Sequence, residues 1–200
     1  MELIELYYKL LSYYGKQGWW PISHKFQPPE WEICIGAILT QNTNWNNVEK
    51  ALKQLKLADC ISLKKFVEID KVQLQALIKS SGFFRQKAET LKNLTRFIAN
   101  FNTFRNFTKH VEREELLKVK GIGNETADSI LLYVCGKSHF VIDAYTKKLC
   151  AKLDIRIKDN PKYEDYKTFF EHNLPKDTNL YKEFHALIVR WGKAKFREMQ

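Results

Sequence analysis

The sequence lacks the features that mark disulfide-rich, metal-binding and membrane-spanning chains. Its four cysteines lie far apart, with no Cys-x-x-Cys pair: Cys34, Cys60, Cys135 and Cys150. Zinc and iron–sulfur sites need closely spaced ligands, and no apolar run approaches the roughly 20 residues that span a bilayer. The first ten residues hold an early acid and no apolar signal segment. We therefore expect buried, reduced thiols and a cytoplasmic protein that contacts no membrane.

Strand signals are scarce, and helical periodicity runs along the chain. The most strand-like run, residues 139–142, is too short for a typical strand and is interpreted as an extended connector. Apolar residues three and four apart predict an all-α fold of about ten helices. The predicted helices are Glu2–Tyr14, Glu30–Leu39, Val48–Leu57, Lys71–Lys79, Arg85–Phe101, Val111–Lys118, Glu125–Val134, Ala144–Leu153, Tyr163–Asn173 and Leu180–Phe196.

Positive charge is in excess. Lys and Arg number 33 against 23 Asp and Glu, which gives a formal net charge of +10, and aromatic residues make up 14% of the 200 residues. An excess of this size favours an anionic partner such as nucleic acid, although charge alone is a weak indicator.

A tight hairpin between two helices is the most informative local feature. Gly121 and Gly123 flank Ile122, so the backbone can reverse with positive φ while Ile122 enters the core of the helix pair. The amides of the two glycines and of the following helix start would then face outward and bind a phosphate, with Lys118 and Lys120 adding charge. An ordinary helical hairpin with exposed lysines explains the same residues.

Asp143 follows an apolar connector at the predicted start of a helix. An aspartate there is a favourable N-cap, which is the simplest interpretation. The same place also keeps a partly buried carboxylate ionised. An ionised carboxylate could face a deoxyribose, on which cation-like charge develops as a glycosidic bond breaks.

Several separate segments resemble one family. LLKVKGIGNETADSILLY (116–133) and FVIDAYTKKL (140–149) resemble the helix-hairpin-helix DNA glycosylases of the endonuclease III superfamily. The segments WWP, GAILTQNTNWNNVEKAL, SGFFRQKAETL and FHALIVRWGK resemble the branch that includes bacterial 3-methyladenine DNA glycosylases. The resemblance runs in order from Trp19 to Lys193.

The resemblance implies two helical domains with a DNA-binding cleft between them. One would be a six-helix barrel over residues 28–136 that ends in the hairpin, and the other would combine residues 1–27 with residues 137–200. It also implies a monomer that binds double-stranded DNA containing a damaged base.

The family's catalytic aspartate corresponds to Asp143, which is taken to stabilise an oxocarbenium-like sugar and to orient water. Bifunctional members carry a Schiff-base lysine two residues after the second hairpin glycine, and Glu125 occupies that position here. Because a carboxylate cannot form an imine, we expect a monofunctional glycosylase. Glu125 would place negative charge near a cationic base, or it is simply a solvated residue at a helix start.

In this branch, aromatic side chains sandwich the damaged base, and the matching candidates are Trp19, Trp20 and Trp45. The first two could instead staple the N-terminal helix to the body, and the sequence leaves open which of them faces the base. Trp45 stands among asparagines, one helical turn after Gln41. An indole slot suits 3-methyladenine and 7-methylguanine because both carry positive charge.

The remaining candidates would contact DNA. Gln41 matches the position that fills the gap left by the extruded base, and Gly82 precedes Phe83 and Phe84, which match a second inserting loop. Core packing is the alternative for at least one of these phenylalanines. The resemblance adds Thr126 at the hairpin, and the basic candidates for phosphate contacts are Arg85, Lys87, Lys147 and Lys148.

The resemblance implies no iron–sulfur cluster, because no cysteine follows Cys150 whereas many relatives place four there. It leaves open a monovalent cation at the hairpin and a bridging role for Lys193. Two other functions stay open: a glycosylase for uracil, mismatched thymine or an oxidised purine, and a non-catalytic DNA-binding module.

Overall fold

The computed structural model describes residues 2–20, 22 and 25–194, and it confirms the all-α class. The described residues form twelve α-helices and no β-strand. In chain order they are α1 (Leu3–Tyr14), α2 (Pro29–Leu39), α3 (Trp45–Leu57), α4 (Leu63–Glu68), α5 (Lys71–Leu77), α6 (Phe84–Ala99), α7 (Phe104–His110), α8 (Arg113–Leu117), α9 (Asn124–Ser129), α10 (Ala144–Lys152), α11 (Tyr163–His172) and α12 (Thr178–Lys193). A 3-10 turn, Lys79–Ser81, follows α5, and a π-helical turn, Ile130–Val134, continues α9. Within these ranges, a helix long and apolar enough for a bilayer is not found.

Two helices, α4 and α7, were not predicted. They span six and seven residues, and each buries a single side chain, Phe66 in α4 and Phe107 in α7, which leaves little apolar repeat in the sequence. Each begins after a hydroxyl cap that satisfies a free backbone amide: Ser62 Oγ accepts from the amide of Lys65, and Thr103 Oγ1 accepts from that of Asn106. The two hydroxyl residues are the sequence feature from which these helix starts could have been predicted.

A side-chain cap also moves the start of α3. Asn44 accepts a hydrogen bond from the amide of Asn47, so α3 begins at Trp45, earlier than predicted. Gln41 therefore lies in the turn before α3, and the expectation that one helical turn separates it from Trp45 is wrong. The predicted end of the last helix at Phe196 lies outside the described residues.

One compact unit comprises residues 22–135 and is built around α2. Every residue of α2 from Trp31 to Leu39 is buried, because the helix is apolar on all sides and packs against α3, α6, α9 and the π-helical turn. The indole of Trp31 meets the ring of Phe66 edge-on, with centroids 5.2 Å apart.

The second compact unit combines residues 1–21 with residues 136–200. In it, α1 and α10 pack against α12. The connector before α10 is buried, and Phe140 stacks on Phe170 with ring centroids 4.6 Å apart. This packing fixes the chain just before Asp143.

The four cysteines are free thiols, and three of them are buried as expected. Burial raises the pKa of Cys34 well above its ordinary value, that of Cys60 to about 11 and that of Cys150 to about 12. Cys135 differs from the prediction, because its side chain is half-buried.

Candidate functional site

Asp143 is the N-cap of α10. Its Oδ1 accepts hydrogen bonds from the backbone amide of Thr146 at 2.7 Å and from the Thr146 hydroxyl at 2.9 Å. Capping is thus one task of this carboxylate, and it uses a single oxygen. The second oxygen, Oδ2, faces another side chain.

That side chain is His185 on α12, whose Nε2 lies 3.7 Å from Asp143 Oδ2. Burial raises the pKa of Asp143, but His185 and the two hydrogen bonds from Thr146 outweigh it, and the pKa falls below its ordinary value. The carboxylate is therefore ionised at neutral pH although its side chain is only 13% exposed.

An aromatic cluster adjoins this pair. The ring of Trp19 lies 5.7 Å from that of His185 and 5.5 Å from that of Trp20, measured between centroids. The ammonium of Lys193 lies 5.8 Å from the centre of the Trp19 ring. Within one unit, the structure thus links Asp143 through His185 to Trp19, and Trp19 contacts Trp20 and Lys193. Pro21 lies outside the described residues.

Glu183 holds the chain that leads to the two tryptophans. Its buried carboxylate accepts hydrogen bonds from the backbone amides of Gln17, at 2.5 Å, and Gly18, at 3.3 Å. Sequence reasoning gave no role to Glu183 or His185. The available signal was a carboxylate and an imidazole on the otherwise apolar stretch of α12, because such groups are buried only with partners.

The hairpin of the other unit has one glycine with positive φ rather than two. Gly121 has φ +97°, and a Cβ there would come within 1.9 Å of the Thr90 hydroxyl. Gly123 is extended, with φ −99° and ψ −179°, so positive φ was wrong for it. Ile122 is buried, as predicted.

A buried ion pair joins the two hairpin helices. Arg113 on α8 donates from Nε to Asp128 Oδ1 at 2.7 Å and from Nη2 to Oδ2 at 3.1 Å. The Asp128 side chain is fully buried, and that of Arg113 is 13% exposed. A bidentate pair of this kind fixes the orientation of α8 and α9.

The side chain of Gln41 reaches the hairpin. Its Nε2 donates to the carbonyl of Gly121 at 3.2 Å and to the hydroxyl of Thr126 at 3.0 Å. The turn after α2 and the hairpin are thereby joined, so three of the residues predicted to contact DNA lie together.

Phe83 projects from the loop before α6. Its side chain is 62% exposed, and its backbone is left-handed with φ +45°. Core packing therefore does not account for Phe83, whereas Phe84, the first residue of α6, is half-buried.

Most of the basic candidates lie at the surface. The exposed ones are Arg85, Lys118, Lys120, Lys147 and Lys148. Lys87 is different: it is buried and donates to two backbone carbonyls. Its assignment as a phosphate contact is wrong.

Trp45 and Glu125 lie in the hairpin-containing unit. The indole of Trp45 is half-buried and donates from Nε1 to Glu49 Oε1 at 3.0 Å. Glu125 is exposed in the first turn of α9. The role of both at the base stays a prediction.

In the part of the chain that the structure describes, no three His, Cys, Asp or Glu side chains form a group that could hold a metal ion. The site around Asp143 offers an ionised carboxylate beside an imidazole, with the indole of Trp19 next to that imidazole.

Comparison with known proteins identifies the family. Residues 35–176 match the model of the HhH-GPD superfamily base excision DNA repair proteins. The chain therefore belongs to this superfamily, and its class is that of the DNA repair glycosylases.

Two similar sequences cover most of the chain. A relative from Methanocaldococcus jannaschii, provisionally named a DNA repair glycosylase, is 46% identical over 96% of this chain and 88% of its own length. Endonuclease III of Thermotoga maritima is 28% identical over 86% of this chain and 77% of its own.

Solved structures agree with the fold. The 3-methyladenine DNA glycosylase of Helicobacter pylori (MagIII), bound to 1,N6-ethenoadenine, is 34% identical with a TM-score of 0.86 and covers 98% of this chain and 99% of its own. An endonuclease III bound non-covalently to DNA has a TM-score of 0.79 at 16% identity, over 99% of this chain and 87% of its own. At that identity, the second match supports the fold alone.

Proposed function

We propose that the protein is a monofunctional DNA glycosylase that hydrolyses the N-glycosidic bond of an N-alkylated purine such as 3-methyladenine. The observation that carries the proposal is the ionised Asp143 beside His185, whose ring in turn lies next to the indole of Trp19. The similarity to the 3-methyladenine glycosylase of H. pylori supports the same substrate class.

Asp143 supplies the anion that the reaction needs. A base must leave the duplex stack before its glycosidic bond can be reached, at a cost of a few kcal/mol. As the bond breaks, positive charge develops on the sugar, and a fixed carboxylate stabilises it without reorganisation. The pair formed with His185 and the bonds from Thr146 keep that carboxylate charged and oriented.

The indoles favour a cationic base. A cation over an indole face gains roughly 0.5–2 kcal/mol, depending on desolvation. The Lys193 ammonium, 5.8 Å from the centre of the Trp19 ring, makes a contact of this kind within the protein. An alkylated purine is also a good leaving group, so a general acid is unnecessary and one carboxylate suffices.

A lyase step is not expected. Glu125 replaces the Schiff-base lysine of bifunctional relatives, and Lys120 precedes the hairpin turn on the exposed side. We therefore propose that water, rather than an amine of the protein, attacks the sugar, and that no iron–sulfur cluster is needed.

The DNA partner is recognised through its backbone. The hairpin, the exposed Lys118, Lys120 and Lys147, and the net charge of +10 support phosphate binding that weakens steeply with salt. We propose that a monomer acts on double-stranded DNA in the cytoplasm or nucleoid.

Mass analysis of free bases released from methylated and from deaminated DNA tests the substrate. We expect 3-methyladenine and 7-methylguanine from the methylated DNA and no uracil from the deaminated DNA. Release of uracil alone would leave a glycosylase but overturn the alkylpurine assignment. Binding of duplex DNA without release of any base would favour a binding module.

The same reactions, run with borohydride present, test the proposed absence of a lyase. We expect no covalent adduct between protein and DNA, with a bifunctional endonuclease III as the positive control. A trapped adduct would overturn the monofunctional assignment.

His185→Phe tests how the carboxylate is held. The substitution removes a contact that lowers the pKa of Asp143, so that pKa should rise and the acid limb of the rate–pH profile should move to higher pH. We expect the rate at neutral pH to fall about tenfold, as for a lost positioning contact. The control, His172→Phe, changes an exposed imidazole of the same unit, and an unmoved acid limb in His185→Phe would contradict the assignment.

A further inference from the structure

Lys87 is a buried lysine for which the proposed chemistry has no use. The residue is 2% exposed, and its Nζ donates to the carbonyl oxygens of Leu39, at 2.8 Å, and Ser81, at 2.7 Å. Lysines are almost never buried without such partners, and here burial lowers the pKa to about 8. An apolar side chain would fill the same space on α6 without the free-energy cost of burying a charge. The two hydrogen bonds of Lys87 therefore need an explanation.

The two carbonyls stand just before the two residues expected to enter DNA. Leu39 ends α2 and leads into the turn that carries Gln41. Ser81 ends the 3-10 turn and leads through Gly82 to the exposed Phe83. One ammonium group therefore fixes the starting points of both segments relative to each other.

The network continues to the hairpin. The amide of Gln41 donates to the carbonyl of Gly121 and to the hydroxyl of Thr126. A second link, from the Ser80 hydroxyl to the carbonyl of Asn47 at 2.9 Å, ties the 3-10 turn to α3. The hairpin, the Gln41 turn and the Phe83 loop thus form one hydrogen-bonded frame around the lysine.

We propose that Lys87 is a positioning residue that sets the separation of Gln41 and Phe83, so that both enter the duplex together when the base is extruded. The inference rests on the proposed function, because it requires a duplex from which a base is removed. Lys87 touches no DNA in this scheme and acts through the two carbonyls.

The same helix provides a matched control. Lys92 is also buried, and its Nζ donates to the carbonyls of Phe66, Val67 and Ile69 at the end of α4. Burial lowers its pKa as well. The two lysines share residue type, helix and kind of partner, but only Lys87 contacts the segments that carry Gln41 and Phe83.

The experiment compares Lys87→Met with Lys92→Met in the full chain. The probe is a duplex with a tetrahydrofuran abasic site beside 2-aminopurine, whose fluorescence rises when inserted side chains unstack it. For Lys87→Met we expect most of the fluorescence rise to be lost. In separate single-turnover reactions on methylated duplex DNA, base release should fall at least about tenfold, since small misplacements cost this much or more. Binding of an undamaged duplex should stay within about twofold, because phosphate contacts dominate it.

Lys92→Met should keep both the fluorescence rise and the rate of base release per folded molecule, whatever its thermal midpoint. Equal losses in the two variants, or a full signal in Lys87→Met, would overturn the proposal. Lys87→Gln retains a donor and should give intermediate values. If neither Lys87 variant folds, the residue is a determinant of the fold and the positioning role is withdrawn.

The wild-type protein separates this inference from the proposed function. If it gives no fluorescence rise and releases no base, the proposed function fails. If it does both and Lys87→Met matches it, only the role of Lys87 fails.

Discussion

Replacing Asp143 with asparagine should abolish base release and leave both the fold and DNA binding intact. Asparagine is as good an N-cap as aspartate, so the hydrogen bond from the amide of Thr146 to the side-chain oxygen of residue 143 is retained. The negative charge is lost, and removal of one preorganised electrostatic contact to a transition state typically costs about 10²–10³ in rate. We expect at least that loss, measured as free base released in single-turnover reactions.

The matched control is Asp177→Asn. Asp177 caps α12 in the same unit and accepts from the amide of Leu180 at 2.9 Å, but it is exposed and belongs to no proposed site. That variant should release base at the wild-type rate. Retained release in Asp143→Asn would remove the catalytic assignment, whereas loss of fold in both variants would reduce Asp143 to a helix cap.

The sequence predicted the helices whose apolar faces are long. The twelve-residue α1 and the buried α2 were recognised by periodicity, because burial of one face or of the whole helix leaves a pattern in the residues. The helices α4 and α7 were missed because their starts are decided by one hydroxyl cap each. A cap involves residues only three positions apart, so it leaves no repeating apolar pattern from which the helix could be predicted.

In the candidate site, too, the residues in local motifs could be predicted and those that depend on distant contacts could not. Asp143 and Gly121 stand in contiguous motifs, so the N-cap of α10 and the positive φ at the hairpin could be predicted. His185 and Glu183 act on residues far away in the chain, 42 positions from His185 to Asp143 and 166 from Glu183 to Gln17. Contacts at that separation follow from packing of α12 within its unit, which a single sequence does not reveal.

Lys87 illustrates the opposite error. The sequence makes Lys87 a candidate for a phosphate contact, since lysines are mostly exposed. The α-helical phase of α6 instead turns Lys87 inward with Ala88 and Leu91, and the charge is satisfied by carbonyls that end α2 and the 3-10 turn. The residue type gives the charge of Lys87, but the position of the residue on the buried face of α6 determines that its side chain points inward.

Asp128→Ala should cause a large loss of stability. It leaves Arg113 in a mostly buried site without its bidentate partner, and breaking a buried pair in this way costs about 3–5 kcal/mol. The free energy of unfolding, measured with denaturant, should fall by that amount. DNA affinity should fall with it, because the pair orients the two hairpin helices while Asp128 itself is fully buried and cannot touch a phosphate.

A double substitution and an exposed ion pair serve as controls that show whether the loss of stability comes from the unpaired buried charge. Arg113→Met combined with Asp128→Leu removes both charges and fills the space, so most of the lost stability should return. Glu68→Ala breaks the exposed pair with Lys64 and should cost less than about 1 kcal/mol. If Asp128→Ala costs no more than Glu68→Ala, the ion pair does not hold the hairpin, and the orientation of α8 and α9 must come from apolar packing around Ile122.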